Sequence, residues 1–346
     1  MQDVANAVRR GVREGRAAVI GRVVDVTGFS TLPGDELVAI DAAGSRYGDL
    51  LGRPGAERLE AAASAMFAAG LSGLETVTIE IHGKEVAEIG LSCGGRADVL
   101  LQSVGAIPEK LWDLLASRAP AALMTRIEGP TAGPAAMVVD RDGRTWGGLG
   151  GLDGLGSGDD ALAKEAVTAL AAGRTSTRRL EDEAGVVLLE AWVPAPRLVV
   201  VGSGDLVGAI TAQADLLGWE TEATDSPAAL DGLLDWAGAT AALIVLSHDP
   251  HVDTSALAAG LARGVSYVGA LGSRATQSRR IEGLTASGVD ADALDRIHRP
   301  IGLDLGGRRS SEVALSVAAE ILACHCGRDA RPLREGTGPI NYRPTA

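Results

Sequence analysis

The stretch GDELVAIDAAGSRYGDLLG at 34–52 aligns without a gap on GPAAMVVDRDGRTWGGLGG at 133–151. Gly34/Gly133, Asp41/Asp140, Gly44/Gly143, Gly48/Gly147, Leu50/Leu149 and Gly52/Gly151 coincide. Each copy has the pattern of a strand, a tight Asp-x-x-Gly turn and a second strand. Strand-like runs precede both, AAVIGRVV at 17–24 and AALMTRIE at 121–128, and helical patterns follow, ending in Ala-Ala-Gly at 68–70 and 171–173. The repetition predicts two alike α+β units over 17–70 and 121–173, flanking a middle segment of short strands. Chance similarity is the competing reading, since glycine alone supplies 46 of the 346 residues.

A second organisation begins at AWVPAPRLVVVG, where Pro194 and Pro196 punctuate the chain before a new apolar strand. From there LVVVG, the stretch around WETEAT, AALIVLS and SYVGAL alternate with helical patterns such as Val207, Ile210, Ala214 and Leu217. This βαβα order predicts a parallel sheet with helices on both faces. The expected fold is therefore α/β: an N-terminal α+β domain over 1–194 with an internal repeat, a Rossmann-like parallel-sheet domain over 195–326, and a loose tail over 327–346.

Composition narrows the function. A net charge of −13 repels nucleic acid and anionic lipid, so neither is an expected partner. Three cysteines make no disulfide framework and point to a reducing, cytoplasmic setting. The N-terminal MQDVANAVRRGVREGR has no apolar core of a signal peptide, and no run reaches the ~18 apolar residues of a membrane span.

Four stretches carry chemistry. In RLVVVGSGDLVGAI, Gly202 suits a tight turn, and Ser203 and Gly204 let backbone approach a phosphate at a helix N-terminus. Val207 occupies the usual third-glycine position, and Asp205 in the first turn opposes an anion. Asp225, about 20 residues on, is placed to bind ribose hydroxyls. IVLSHDPHVD puts His248 and Asp249 at a strand's carboxyl edge; a metal site with Asp253 is conceivable, but a turn and helix cap explain the same residues. YVGALGSR offers Gly269 and Gly272 beside Arg274, suited to an anion or to helix capping. Finally, EIGLSCGGRADVLL places Cys93 beside Gly94 and Gly95, where small neighbours let a thiol meet a bulky ligand; an inert buried cysteine is the alternative. The Cys324-His325-Cys326 triplet has too few ligands for a closed zinc site, and no metal site is expected.

Together, YVGALGSR…RIHRPIGLDLGGR…SEVALSVAAEI, GLSCGG and SHDPHVD resemble the XdhC/CoxI family over most of 15–325. The resemblance implies an accessory protein that holds the molybdenum cofactor (a molybdopterin), promotes its sulfuration with a cysteine desulfurase, and delivers it to an apo molybdenum hydroxylase such as xanthine dehydrogenase or carbon monoxide dehydrogenase. It implies a cofactor role for Cys93, Gly94 and Gly95, for Gly202 and Gly204, and for His248, Asp249 and Asp253. Cys93 would be a soft ligand or sulfur relay acting alone, because the first repeat has GDLLGRPGAE where many members carry a second cysteine. A homodimer is the expected assembly. Two other functions fit the residues: an NAD(P)-dependent oxidoreductase using Gly202, Gly204 and Asp225, and a nucleotide-sensing adaptor.

Overall fold

The computed structural model describes residues 1–28, 36–51, 53–71, 73–81, 94–129, 135–150, 158–238, 240–247 and 249–335, the side chains of 53 and 54 excepted. The chain divides into two compact units, Met1–Val193 and a second beginning at Pro194. Among the described residues no helix is long and apolar enough to cross a membrane.

In the first unit, helix α1 (Gln2–Arg13) precedes strands β1 (Ala18–Thr27), β2 (Leu37–Asp41) and β3 (Arg46–Gly48), helix α2 (Arg53–Ala68), and strands β4 (Leu74–Ile81) and β5 (Gly95–Ser103). The five strands form an antiparallel sheet in the order β3-β2-β1-β5-β4. After a short helix α3 (Lys110–Ala116), strands β6 (Ala121–Glu128), β7 (Ala136–Asp140) and β8 (Thr145–Gly148), helix α4 (Asp159–Ala171), and strands β9 (Ser176–Asp182) and β10 (Gly185–Trp192) repeat the path. Their order is β8-β7-β6-β10-β9, the same topology.

The shared residues explain why both copies fold alike. Asp41 Oδ1 accepts the amides of Ala43 (3.0 Å) and Ser45 (2.8 Å), and Asp140 Oδ1 accepts those of Asp142 and Arg144 (both 2.9 Å). Each aspartate thus closes its own turn. Gly48 and Gly147 adopt φ of 81° and 79°, and a Cβ there would lie 2.2 Å from Leu37 O and 2.4 Å from Ala136 O. Only glycine fits. Leu50 and Leu149 are fully buried.

The repeat is larger than the sequence suggested. The segment expected to stand between the units instead supplies β4 and β5, which complete the first copy's sheet. Strand alternation separates two outer cores from an inner one. Val19, Val38 and Ile40 pack with Leu59 and Ala63 of α2, while Ala122, Met124 and Val139 pack with Ala166 and Leu170 of α4. Ile20, Ala39, Leu123 and Val138 turn inward to a shared core with Val8 of α1 and Trp112 of α3. Inside lies a buried polar group. Arg22 Nε donates to Glu190 Oε1 and Oε2 at 3.0 and 2.8 Å, and Arg22 Nη2 to Gln102 Oε1 at 2.9 Å.

The second unit is a parallel sheet of β11 (Arg197–Val201), β12 (Glu220–Thr224), β13 (Ala242–Val245), β14 (Tyr267–Ala270) and β15 (Ile297–His298), ordered β12-β11-β13-β14-β15. Its inner strands are apolar on both faces, as a doubly covered sheet requires. Val199, Val201, Leu243 and Val245 pack against Leu230 and Leu234 of α6 (Pro227–Ala237), Leu257 of α7 (Pro250–Ala262) and Leu284 of α8 (Arg274–Ala286). Helix α9 (Ala291–Asp295) adds Leu294 to that side. Leu198, Val200, Ala242 and Ile244 pack against Ile210 of α5 (Asp205–Leu216) and Val317 of α10 (Ser310–His325). The α/β class, the parallel C-terminal sheet and the N-terminal repeat therefore agree with the sequence.

Candidate functional site

Strand order locates the binding edge of the second unit. β12 and β13 lie on opposite sides of β11, so the chain reverses direction across the sheet between β11 and β13. In open α/β sheets ligands bind at such a switch point, outside the strands' carboxyl ends. The loops there are the ones singled out from the sequence. Gly202 follows β11, and a Cβ on it would sit 3.1 Å from Leu246 Cβ and 3.4 Å from Ser247 N. The two loops flanking the switch point therefore touch.

Helix α5 begins at this point. Gly204, its N-cap, has φ 97° and provides no side-chain cap, whereas Asp249 caps α7 and Ser273 caps α8. The amides of the first turn of α5 thus keep their capacity to bind an anion, with Ser203 exposed beside them. Asp205 stands in that first turn and places a carboxylate at the same end. Gly208 does not replace the missing third glycine, because a Cβ there would meet nothing within 4 Å. Asp225 is exposed at the carboxyl end of β12, on the other flank of β11.

Beyond β13 the residues divide. His248 lies outside the described residues. Asp249 Oδ1 accepts the amide of His251 at 2.8 Å and lies 3.4 Å from that of Val252, so it caps α7. Asp253 is buried and binds Arg280, with Oδ2 2.7 Å from Nε and 2.6 Å from Nη2. Arg280 then ties two edge loops together: Nη2 donates to Ser247 O at 3.2 Å and Nη1 to Leu271 O. Gln277 Nε2 adds a bond to Ala270 O at 3.0 Å. Sequence reasoning missed Arg280 and Gln277; the only signal was a polar pair three residues apart on a helix following a carboxyl-edge loop. Gly272 lies over this latch, where a Cβ would come 3.2 Å from Arg280 Nη1. Gly269 is buried inside β14, and a Cβ there would strike Ile301 (2.7 Å) and Tyr267 (2.8 Å). Among the described residues no three His, Cys, Asp or Glu side chains gather as a metal site.

In the first unit Cys93 lies outside the described residues. Gly94 and Gly95 follow it, and Gly95 opens β5. A Cβ on Gly28, at the end of β1, would come 3.0 Å from both Gly94 O and Gly95 Cα. Close approach of two strand ends is thus a structural reason for small residues here, alongside the ligand-binding one.

A family model described as the XdhC Rossmann domain matches residues 198–321, which span all five strands of this unit except the first residue of β11. The uncharacterized protein YqeB of Escherichia coli is 28% identical over 145 residues, covering 37% of this chain and 27% of that protein. The molybdenum cofactor insertion chaperone PaoD of Escherichia coli is 30% identical over 129 residues, covering 37% of this chain and 40% of PaoD. The matches therefore span less than half the length of these relatives. A crystal structure from Bacillus halodurans, described as a xanthine dehydrogenase, covers 96% of this chain and 99% of its own at a TM-score of 0.52 and 17% identity, a likeness of fold. Over residues 198–321, the second unit of the chain is thus similar to the XdhC Rossmann domain.

Proposed function

We propose that the chain is an accessory protein in the maturation of a molybdenum hydroxylase of the xanthine dehydrogenase or carbon monoxide dehydrogenase type. It binds the molybdenum cofactor, supports its sulfuration with a cysteine desulfurase, and passes it to the apoenzyme, acting as a cytoplasmic homodimer. The observation that carries this reading is the 30% identity to a molybdenum cofactor insertion chaperone.

The residues suit such a cargo, a large anion bearing soft sulfur and a metal. The uncapped first turn of α5, with Ser203 and Gly204, accepts anionic oxygen. Asp205 weakens that hold, which fits a carrier that must release what it binds. Asp249 and Gly272 shape the neighbouring edge loops, and His248 belongs to the same stretch of sequence. In the N-terminal unit, Cys93 offers a soft thiolate and Gly94 and Gly95 offer backbone amides. One observation favours a second reading. Asp225, exposed at the end of β12, is placed as a ribose-binding carboxylate would be, as in an NAD(P)-dependent oxidoreductase or a nucleotide-sensing adaptor.

Titration of the purified protein with isolated molybdenum cofactor, with bound molybdenum measured after dialysis, tests the proposal. Retention of the cofactor and its transfer to an apo-hydroxylase are expected. No retention, together with micromolar NADH affinity by calorimetry that is lost in Asp225→Ala, would replace it with the nucleotide reading.

A further inference from the structure

Away from the carboxyl-edge loops, the second unit assembles a thiol, an imidazole and a carboxylate that the proposed function does not use. Glu320 and Cys324 lie one turn apart on α10, and His298 ends β15. His298 Nδ1 is 3.3 Å from Glu320 Oε1, and His298 Nε2 is 3.9 Å from Cys324 Sγ. The imidazole is held from three directions. Its ring stacks on Tyr267 with centroids 4.4 Å apart and planes 22° apart. Tyr267 Oη donates to Glu320 Oε2 at 2.5 Å, and the Gly302 amide donates to the same oxygen at 2.7 Å.

These contacts fix the protonation pattern. Burial alone pushes the Glu320 carboxyl up, but hydrogen bonds from His298, Tyr267 and the Gly302 amide outweigh it and hold the group below the usual carboxylate range. Burial, then the bond to Glu320, pushes the Tyr267 phenol far up, so it stays a donor. An ionised Glu320 takes the Nδ1 proton of His298 as a hydrogen bond and leaves the Nε2 lone pair facing Cys324. Nucleophile, base and orienting acid stand in the sequence of contacts that activates a thiol. Cys324 is also exposed, so a partner's sulfur can reach it.

We propose that Cys324 is a nucleophilic thiol, with His298 as its base and Glu320 as the residue positioning that base, and that its substrate is an S–S bond, in a disulfide or a persulfide. Cys324 Sγ attacks one sulfur of the substrate while His298 Nε2 takes the thiol proton. The substrate S–S bond breaks, its electron pair leaves on the other sulfur, and His298 returns the proton there. One S–S bond forms and one breaks, so the exchange needs no external oxidant or reductant. A disulfide leaves a mixed disulfide on Cys324, and attack on the outer sulfur of a persulfide leaves a Cys324 persulfide. The proposal stands independently of the molybdenum reading.

Cys326 is an internal control, two residues on and therefore on another face of the helix turn. Burial, then the charge on Glu320, raises the Cys324 thiol above its ordinary range. Without help from His298, Cys324 would thus be a slow nucleophile at neutral pH. The test exposes the full chain at pH 7 to glutathione disulfide in one arm and inorganic polysulfide in the other, with each cysteine followed by peptide mass spectrometry. Modification of Cys324 at least about tenfold faster than Cys326 is expected in one or both arms, and the faster arm identifies the source of the S–S bond. His298→Phe, which keeps a ring on Tyr267, and His298→Gln, which keeps a donor to Glu320, should both abolish that excess. Glu320→Gln should lower it while the Cys326 rate, which reports any loosening of α10, stays constant. Equal or slower reaction of Cys324 in both arms, or an excess that survives both His298 variants, overturns the proposal.

Discussion

In the first N-terminal repeat, β4 and β5 are joined through residues 82–94; in the second, β9 and β10 are joined by Glu183 and Ala184 alone. The sheets otherwise correspond strand for strand. Register shows how the copies diverged inside that frame. Ile20 pairs with Gln102 as Leu123 pairs with Glu190, so Gln102 and Glu190 are equivalent, as are Arg22 and Thr125. By the same registers Val23 corresponds to Arg126, and Ile79 to Asp182. The second copy thus closes its sheet end with an ion pair and a tight turn. The first closes the same place with apolar residues and carries the long connection whose sequence includes Cys93. One scaffold is present twice, and of the two copies the first carries the segment with the conspicuous thiol.

The largest effect should come from the buried polar group shared by the copies. Burial pushes the Glu190 carboxyl up, and Arg22 opposes that shift through charge and hydrogen bonds. Removing the guanidinium leaves a carboxyl with side-chain exposure of 3% facing an apolar core. Arg22→Ala should cost about 3–5 kcal/mol in denaturant unfolding, because an unpaired buried charge loses its compensation. A loss below about 1 kcal/mol would mean that the two sheets do not depend on this group.

A smaller effect tests the exchange of an ion pair for apolar residues. Arg126 donates through Nη1 and Nη2 to the two oxygens of Asp182, both at 2.8 Å, and through Nε to Leu149 O at 3.1 Å. Arg126→Met should cost about 1–3 kcal/mol, the usual price of leaving partly buried polar groups unpaired. Arg126→Val with Asp182→Ile, the residues of the first copy, should recover most of that loss. If the double variant is no better than the single, the sites are not interchangeable. The Arg126 hydrogen bond, opposed by burial, holds Asp182 below the usual carboxylate range. Its native-state pKa is lower than the unfolded one, so it adds stability above the ordinary carboxylate range, lost as pH falls through the depressed value. Arg126→Met should flatten that acid-side slope, measured as thermal midpoint against pH.

The same comparison explains what could be read from the sequence. Asp41, Gly44, Gly48 and Leu50 matched their counterparts because turn chemistry is local and tolerates few residue types. The membership of β4 and β5 was harder to see: Val99, Leu100 and Leu101 recur as Val187, Leu188 and Leu189, but LETVTIEI shares almost nothing with STRRLED. The pairing of β5 with β1, across some eighty positions of sequence, and of β4 with β5 assigns them. In the second unit the glycine turn and the alternation of strands and helices were legible, and so was capping as one role for Asp249. The union of Asp253 with Arg280, and of His298 with Glu320 and Cys324, joins distant elements and leaves no local pattern.

The smallest change in stability, and the sharpest test of the divergence, belongs to Cys93. If the connection present only in the first copy exists to offer a thiol to cargo, Cys93→Ser should shift stability by less than about 0.5 kcal/mol, as a surface substitution does. Cofactor retention or client activation should fall about tenfold, equivalent to about 1.4 kcal/mol of lost binding. The pinch of Gly28 against Gly94 and Gly95 offers the competing account, in which the small residues serve strand approach and the cysteine is inert packing. That account expects about 1–3 kcal/mol of destabilisation from a buried, unpaired hydroxyl, with client activation falling only in step with the folded fraction. Measuring the unfolding midpoint and cofactor retention on one preparation separates the two. A stable Cys93→Ser protein with full retention would leave the long connection as a difference in length between the copies and remove the thiol from the function.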